Sequence, residues 1–487
     1  MHRKIMNIDD LLNTRSEFLS KKIKLNLLIR ICIFILITYI TYTNIDSLQE
    51  IVLFIYILIS FTKIIICIFC KKPSEKFNTH LKILYSISDF KDQLEFLNLK
   101  EEDLPVYTIL IPLYKENDRT IFNLSFNISN LVYPKNKLDI KILCEEDDSD
   151  TINLVRKMNF QDILIVPSGK IKTKGRALNY GLKFAKGEYL TIYDAEDIPD
   201  KFQLLLVVNL FLNSQPKTII QCALRYYNRV NWLSELMFAE YEYVFNKRNN
   251  VFGRYISFFP LGGTSNHFPV SSLININGWD AYNTTEDAEI SILLNADNYN
   301  IQQMPVYTLE ESVFERMAWI KQRSRWIKGY MQTLYSYFIN MFCTKTFFIK
   351  PHKVRNISIF IYFALGIFIP FFCILMSMDT LFQAILQYSS HMPKKYMNHW
   401  YNGVIILITI MPIISEITLY ESTFINSRQV PMLRLGGIIV AKMQIIIMFV
   451  FAYIKAVMEL IYKPSYWDKT HHTGDFIIID FDDYDKK

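Results

Sequence analysis

Apolar residues fall in long blocks toward both ends of the chain and in short, spaced runs through its middle. Near the N-terminus two blocks cover about 25–42 and 51–70, each close to the roughly 20 residues that cross a hydrocarbon layer about 30 Å thick. Lys63 interrupts the second block and would snorkel or face a polar interior. Three further blocks, at about 357–378, 404–420 and 437–462, follow residue 350. Arg3, Lys4, Arg15, Lys21, Lys22 and Lys24 precede the first pair, and Lys71, Lys72 and Lys76 follow it. The short link between them carries Asp46 and Glu50 instead. This positive-inside bias predicts a hairpin with the N-terminus and residues from 72 onward in the cytoplasm. No small-residue cleavage site follows the first block, so a removable signal peptide is not expected. Three crossings from a cytoplasmic middle would put the tail Lys463-Pro464-Ser465-Tyr466-Trp467-Asp468-Lys469-Thr470 outside, unless one segment is re-entrant or interfacial.

The middle, 72–350, reads differently. Tyr107-Thr108-Ile109-Leu110-Ile111-Pro112 is a short apolar run closed by Pro, which predicts a buried strand; 138–144 and 189–193 predict two more. Segments of helical length lie between them, for example 177–185. Strands alternating with helices predict an α/β domain on a mostly parallel sheet, with ligands at the carboxyl ends of the strands. Three parts result: 1–71 with two membrane helices, 72–350 as a cytoplasmic α/β domain with an interfacial helix at about 330–342, and 351–487 as a second membrane region with a tail.

Acids stand at those carboxyl ends. Leu113-Tyr114-Lys115-Glu116-Asn117 follows the first strand, Glu145-Glu146-Asp147-Asp148 the second and Asp194-Ala195-Glu196-Asp197 the third. Acids after three successive strands imply a metal or a cationic or hydroxyl-rich ligand, and Asp194-x-Glu196 suits Mg²⁺ or Mn²⁺ bound partly through substrate phosphates. Lys174-Gly175-Arg176 precedes a helix and would pair with phosphates or solvate a loop. In Pro260-Leu261-Gly262-Gly263-Thr264-Ser265-Asn266-His267, paired glycines suggest close backbone approach to a ligand, and a lone His267 is more often structural. Thr285-Glu286-Asp287-Ala288-Glu289 opens a helical pattern. Its acids are either helix-start capping around an N-cap Thr285, or they include a general base, Asp287, at a cleft mouth. In Gln322-Arg323-Ser324-Arg325-Trp326 helical spacing puts Gln322, Arg325 and Trp326 on one face. Trp offers a flat surface to a sugar and Arg a fork for a diphosphate, although a basic helix on a membrane has the same pattern.

Composition narrows the reading little. Apolar residues make up 51%, and Lys+Arg 53 against Asp+Glu 47 leaves +6, which positive-inside loops account for and which is too small to argue for a nucleic-acid partner, so none is expected. Cys67 and Cys70 form a C-x-x-C inside an apolar run with no second pair, so membrane filler is favoured over metal.

Taken together, Pro112-Leu113-Tyr114-Lys115-Glu116, Glu145-Glu146-Asp147-Asp148, Asp194-Ala195-Glu196-Asp197-Ile198-Pro199, Thr285-Glu286-Asp287 and Gln322-x-x-Arg325-Trp326 occur in one order over roughly 100–330, flanked by membrane blocks. In this the chain resembles the processive family 2 glycosyltransferases of the cellulose, chitin and hyaluronan synthase group. The Leu-Gly-Gly-Thr-Ser-Asn-His-Phe and Lys-Pro-Ser-Tyr-Trp-Asp-Lys-Thr pieces resemble a bacterial exopolysaccharide synthase subgroup. The resemblance implies a GT-A fold, a UDP-sugar donor, inversion at the anomeric carbon, a polysaccharide acceptor at the cell membrane and possible accessory subunits. By position it implies Tyr114, Glu116, Glu146, Lys174 and Asp194 on the donor. Asp194 with Glu196 or Asp197 would take a Mg²⁺ or Mn²⁺. Asp287 would be the base, with Gln322, Arg325, Trp326, Glu286 and His267 at the acceptor end. Glu-Glu-Asp stands where the family has Asp-Asp-Gly, which leaves Glu146 and Asp147 both open, and Asp-x-Glu replaces Asp-x-Asp.

Overall fold

The structure is a computed structural model that describes residues 57–344, 414–424 and 431–469, apart from 69, 71–74, 159, 161, 170 and 432. The apolar blocks at 25–42 and 357–378 lie outside the described residues.

Eight strands form one sheet: β1 Tyr107–Leu113, β2 Leu138–Glu145, β3 Ile163–Val166, β4 Tyr189–Ile192, β5 Ile198–Pro199, β6 Thr218–Tyr226, β7 Asn266–Pro269 and β8 Asn300–Glu310. Their order is β3-β2-β1-β4-β7-β6-β8-β5. From β3 to β4 all neighbours are parallel, which the alternating pattern predicts. Beyond β4 the sheet is mixed: β7 runs antiparallel to both β4 and β6, β6 and β8 are parallel, and β5 closes the far edge antiparallel. The sheet is therefore GT-A-like and mixed, with a parallel half. The strands β1 and β6 are almost wholly buried, so each reads as an apolar run and not an alternation.

Helices α1 Asp118–Ser129, α2 Ser149–Lys157 and α3 Lys174–Leu182 follow the parallel strands, and α4 Gln203–Asn213 precedes β6. Each of the first three starts on a side-chain cap: Asn117, Asp148 and Thr173 accept from the backbone N–H of Thr120, Thr151 and Arg176. Such a cap contributes about 1 kcal/mol and fixes where each strand-end loop stops. Of the other helices, three bear on the site: α5 Trp232–Tyr243, α6 Glu286–Ala296 and the 29-residue α7 Arg316–Thr344. Helix α5 runs on through a π-helical turn, Val244–Arg248.

One described helix, α8 Leu435–Tyr462, is long and apolar enough to cross a membrane, and Ile57–Ile68 is a shorter apolar helix. One face of α8 packs on the α/β domain, burying Met448, Ala452 and Ala456 against Tyr226, Trp319 and Ile327. Arg316 reaches Gln444, and Lys328 pairs with Glu459, so α7 and α8 are linked at both ends of their contact. The opposite face exposes Val440, Met443, Ile447, Phe451 and Met458. After α8 the tail returns to the α/β domain: Lys469 Nζ lies 2.6 Å from Glu116 Oε1 and Arg325 donates to the Asp468 carbonyl. Of the two placements that the sequence leaves open for the tail, these contacts favour the one beside the α/β domain, where its polar groups have their partners.

Candidate active site

The carboxyl ends of β1, β2 and β4 open into a cavity of about 380 Å³. Tyr114, Glu116, Lys174, Asp194, Glu196, Glu286, Gln322, Arg325 and Trp326 all line it. Residues far apart in sequence thus meet because parallel strands deliver their C-terminal loops to one edge.

Lys174, in the first turn of α3, ties the two sides of the opening together. Its ammonium pairs with the Asp194 carboxylate and donates to the Gly263 carbonyl at 2.8 Å. Burial pushes its pKa down, but Asp194, Glu286 and Asp197 outweigh burial and hold it well above the ordinary value. Lys174 therefore stays cationic and aimed at the cavity. A Cβ on Gly263 would make only ordinary contacts, 3.8 Å from Asp287 Oδ2 and 3.9 Å from Lys174 Nζ, whereas one on Gly262 would meet Leu224 Cδ1 at 2.9 Å.

Glu286 and Asp287 open α6. Thr285 occupies the N-cap position, but its side chain makes no capping bond; its own N–H is held by Asn283 Oδ1 at 3.0 Å. The expected Thr285 cap is thus absent, because the hydroxyl faces α7 instead. Gly329 of α7 approaches so closely that a Cβ there would lie 2.3 Å from Thr285 Oγ1. Burial raises the pKa of Glu286, with the Asp287 charge adding to it and Lys174 opposing it. Burial also raises Asp287, against the pull of the Ala288 N–H, Lys174 and Arg325. Two carboxyls with raised affinity for protons thus stand beside two cations, Lys174 and Arg325. Glu286 reaches the cavity wall, and Asp287 stands half-buried behind Gly263.

Gln322, Arg325 and Trp326 share the cavity-facing side of α7, which the helical spacing predicts. Gln322 is 93% buried, given its 7% exposure, and its Oε1 has no hydrogen-bond partner. Arg325 lies over the Trp467 ring at 5.7 Å.

Besides Asp287, four residues that the sequence pointed to do not line the cavity: Glu146, Asp147, Asp197 and His267. Glu146 is exposed and accepts from the Ser168 N–H at 2.8 Å, and Asp147, also exposed, pairs with Lys172. Strand β2 runs one residue past the predicted 144, and this puts Glu145 on the cavity, paired with Arg176 at 3.1 Å. Burial raises Glu145 to about 7, opposed by Arg176. Asp197 is 1% exposed; its Oδ2 accepts from the Asp194 N–H at 2.7 Å and from the Thr264 hydroxyl. It braces the Asp194 loop against the glycine loop from behind. His267 lies within β7, fully buried, with Nδ1 2.7 Å from the Tyr107 hydroxyl. Burial lowers it to about 3, so it is a neutral core group and not an acceptor contact.

Sequence reasoning passed over Glu145, Lys172, Glu310, Trp467 and Lys469, all on the cavity. Lys469 was legible as a cation in a motif-like tail, but only the fold brings it to the Tyr114 and Lys115 carbonyls. Glu310 ends β8, where no apolar run of usual length marks the strand; burial and the Glu196 and Asp194 charges push its pKa well up.

The donor set fits a hard divalent ion. Asp194 and Glu196 supply carboxylate oxygens at the wall, and Asp197 Oδ1 is buried without a partner beside them. Among the described residues no three acids, His or Cys are gathered closely enough to hold an ion by themselves. Mg²⁺ or Mn²⁺ is commonly held by one or two carboxylates, with phosphate and water completing the shell.

Two family profiles match the chain: glycosyl transferase family group 2 over residues 189–462 and glycosyl transferase family 2 over 108–266. Among curated relatives, the chain is 26% identical over 304 residues to "Probable glycosyltransferase YdaM" of Bacillus subtilis (strain 168), covering 61% of this chain and 69% of that protein. It is 26% identical over 270 residues to poly-beta-1,6-N-acetyl-D-glucosamine synthase of Staphylococcus aureus (strain MSSA476), covering 55% of this chain and 63% of that protein. A solved mannosyltransferase, PcManGT from Pyrobaculum calidifontis in complex with GDP-Man and Mn²⁺, aligns at 16% identity and TM-score 0.47 over 76% of this chain and 98% of its own.

Proposed function

The chain belongs to the family 2 glycosyltransferases, and from that premise we propose that it moves a sugar from a UDP-sugar to a growing β-linked polysaccharide at a membrane. The observation that carries this is the convergence of Lys174, Asp194, Glu286 and the Gln322–Arg325–Trp326 face on one cavity. The homology to a poly-N-acetylglucosamine synthase makes UDP-N-acetylglucosamine the first donor to test.

In this reading the diphosphate lies against Lys174 and Arg325, and Tyr114, Glu116 and Glu145 bound the nucleoside side. A divalent ion at Asp194 and Glu196 would offset charge on the leaving diphosphate. Lys174, already aimed by its pairing with Asp194, stabilises that same charge without reorganising. The acceptor hydroxyl oxygen attacks the anomeric carbon opposite the diphosphate. The new C–O bond forms as the bond to the diphosphate oxygen breaks, and its electron pair leaves with UDP. Asp287 takes the hydroxyl proton, and Glu286 orients the acceptor beside it. One displacement needs one base and inverts the centre.

The domain reading follows: 1–71 and 351–487 as membrane regions around a cytoplasmic 72–350, with the exposed apolar face of α8 toward lipid and the tail closing on the cytoplasmic site. Transfer of one sugar to a lipid carrier is the second reading. It is disfavoured by Gln322 and Trp326, which extend the acceptor wall beyond what a single acceptor hydroxyl requires.

The test is incubation of membranes carrying the chain with a panel of labelled UDP-sugars. Incorporation from one of them into a polymer degraded by the matching β-glycosidase is expected. Label confined to lipid extracts would replace the polymer reading with the carrier reading. Impermeant thiol labelling of cysteines placed at positions 46 and 150 in intact cells should mark 46 alone.

A further inference from the structure

Arg325, Lys328 and Gln332 lie on one face of α7, at helical spacing. Each donates to a backbone carbonyl of the tail: Arg325 to Asp468 at 2.8 Å, Lys328 to Tyr466 at 2.7 Å and Gln332 to Pro464 at 3.0 Å. The tail thus runs back along α7 with a bond at every second residue, and this delivers Trp467 and Lys469 to the cavity. We propose that Gln332, which does not itself line the cavity, is a positioning residue for the transfer step: it fixes the segment leading into the base relative to the tail. The proposal rests on the transferase reading above, with Asp287 as base and the nucleoside beside Tyr114 and Glu116.

The chemistry of the three side chains singles out Gln332. A guanidinium and an ammonium only donate, whereas a carboxamide both donates and accepts. Gln332 Oε1 accepts from the Thr284 N–H at 3.2 Å. The Thr284 hydroxyl lies 3.3 Å from the same oxygen and 3.1 Å from the Arg325 carbonyl. The Pro464 carbonyl can only accept and the Thr284 N–H can only donate, so a single orientation of the amide serves both.

Thr284 is 5% exposed and stands three residues before Asp287. Its neighbour Asn283 is also held on α7, donating to Thr333 Oγ1 at 2.8 Å while its Oδ1 accepts from the Thr285 N–H. Thr285 makes no capping bond, so bonds to α7 fix the start of α6 in place of a cap. On the tail side, Lys469 meets Glu116 at 2.6 Å and donates to the Tyr114 and Lys115 carbonyls. The Trp467 ring lies 6.4 Å from that of Tyr114. A loosened tail therefore weakens the donor wall, and a loosened Thr284 misplaces the base. Gln332 carries these two effects on different atoms, Nε2 for the first and Oε1 for the second.

The test separates the two atoms, using the full chain in membranes with UDP-N-acetylglucosamine as donor. Gln332→Glu keeps an acceptor for Thr284 and loses the donor to Pro464. It should raise donor KM about tenfold, the scale of one lost polar contact, with kcat within about twofold of wild type. Gln332→Lys keeps a donor and loses the acceptor. It should lower kcat about tenfold, with donor KM within about twofold. Gln332→Met is uncharged and of similar length, and should show both changes while accumulating as the wild type does. A residue that merely stabilised the fold would move the two constants together in every variant. Equal changes in kcat and KM in the Glu and Lys variants, or wild-type constants in the Met variant, would overturn the role. Either result with an active wild type removes the role of Gln332 and leaves the transferase reading intact. A wild type that transferred from none of the UDP-sugars would sink that reading, and the positioning role with it.

Discussion

The two walls of the cavity are built by different means. On the parallel side, strand ends carry charges that are already paired: Lys174 with Asp194, Glu145 with Arg176, Lys469 with Glu116. On the opposite side helices α5, α6 and α7 bring aromatic rings among their charged groups, and the Gln322 amide oxygen has no partner. The difference follows from the ligands proposed for each. A diphosphate must be met by fixed cations, and buried cations are stable only when carboxylates hold them. A sugar polymer is neutral and must slide after each addition, so broad faces and few strong bonds suit it.

That contrast can be broken most sharply at the metal position. Excess chelator should abolish transfer, and Mg²⁺ or Mn²⁺ should restore it. Full turnover in chelator would leave charge stabilisation to the cations that line the cavity, Lys174 and Arg325 among them. Next in size is Asp287→Asn, which removes the proton acceptor and should lower kcat by a factor on the order of 10²–10⁴ with donor KM little changed. The wild-type rate should also depend on pH through this residue. Burial raises its pKa, so the unprotonated base is lost as pH falls through a value above the ordinary carboxylate range. An acid limb of kcat that stayed at the ordinary carboxylate pKa would argue against Asp287 and for an exposed group.

A third comparison separates neighbours on β2. Glu145→Gln weakens a buried pair with Arg176 at the donor wall and should raise donor KM about tenfold. Glu146→Gln touches an exposed group and should change KM less than about twofold. The reverse order would return the donor role to Glu146. A smaller effect than that of Glu145→Gln is expected for Gly329→Ala. The added methyl group must push on Thr285, costing about 1–3 kcal/mol. A lowered Tm with a few-fold rise in acceptor KM is expected, because α7 carries the acceptor wall and Thr285 leads into the base. Unchanged acceptor KM would show that the two elements are not mechanically linked.

The parallel half of the sheet was legible because its strands are continuous apolar runs bounded by polar loops. The second half was not: β7 is short, β8 contains Gln302, Gln303 and Pro305, and β5 has two residues. Their pairing depends on contacts made across long sequence separations, which no local pattern encodes. The same division runs through the site. Asp194, Lys174 and the Gln322–Arg325–Trp326 face were readable, since each is fixed by a strand end or by helical period. Asp148 and Asn117, read among the acids and polar groups of a site, turned out to be helix caps, while Thr285, read as a cap, is not one.

By itself the sequence determined the chemistry: hard acids, a lysine and an arginine fork at strand and helix ends, between apolar blocks. Local rules suffice for this, because side-chain identity and helical or strand period are properties of neighbours in the chain. Tertiary structure alone decided which of two adjacent glutamates faces the cavity, that His267 is core, and that the tail's Trp467 and Lys469 complete the site. Each depends on a register or a return path set by burial summed over the whole domain. A one-residue extension of β2 turns Glu145 inward and Glu146 out, since alternate residues of a strand face opposite sides.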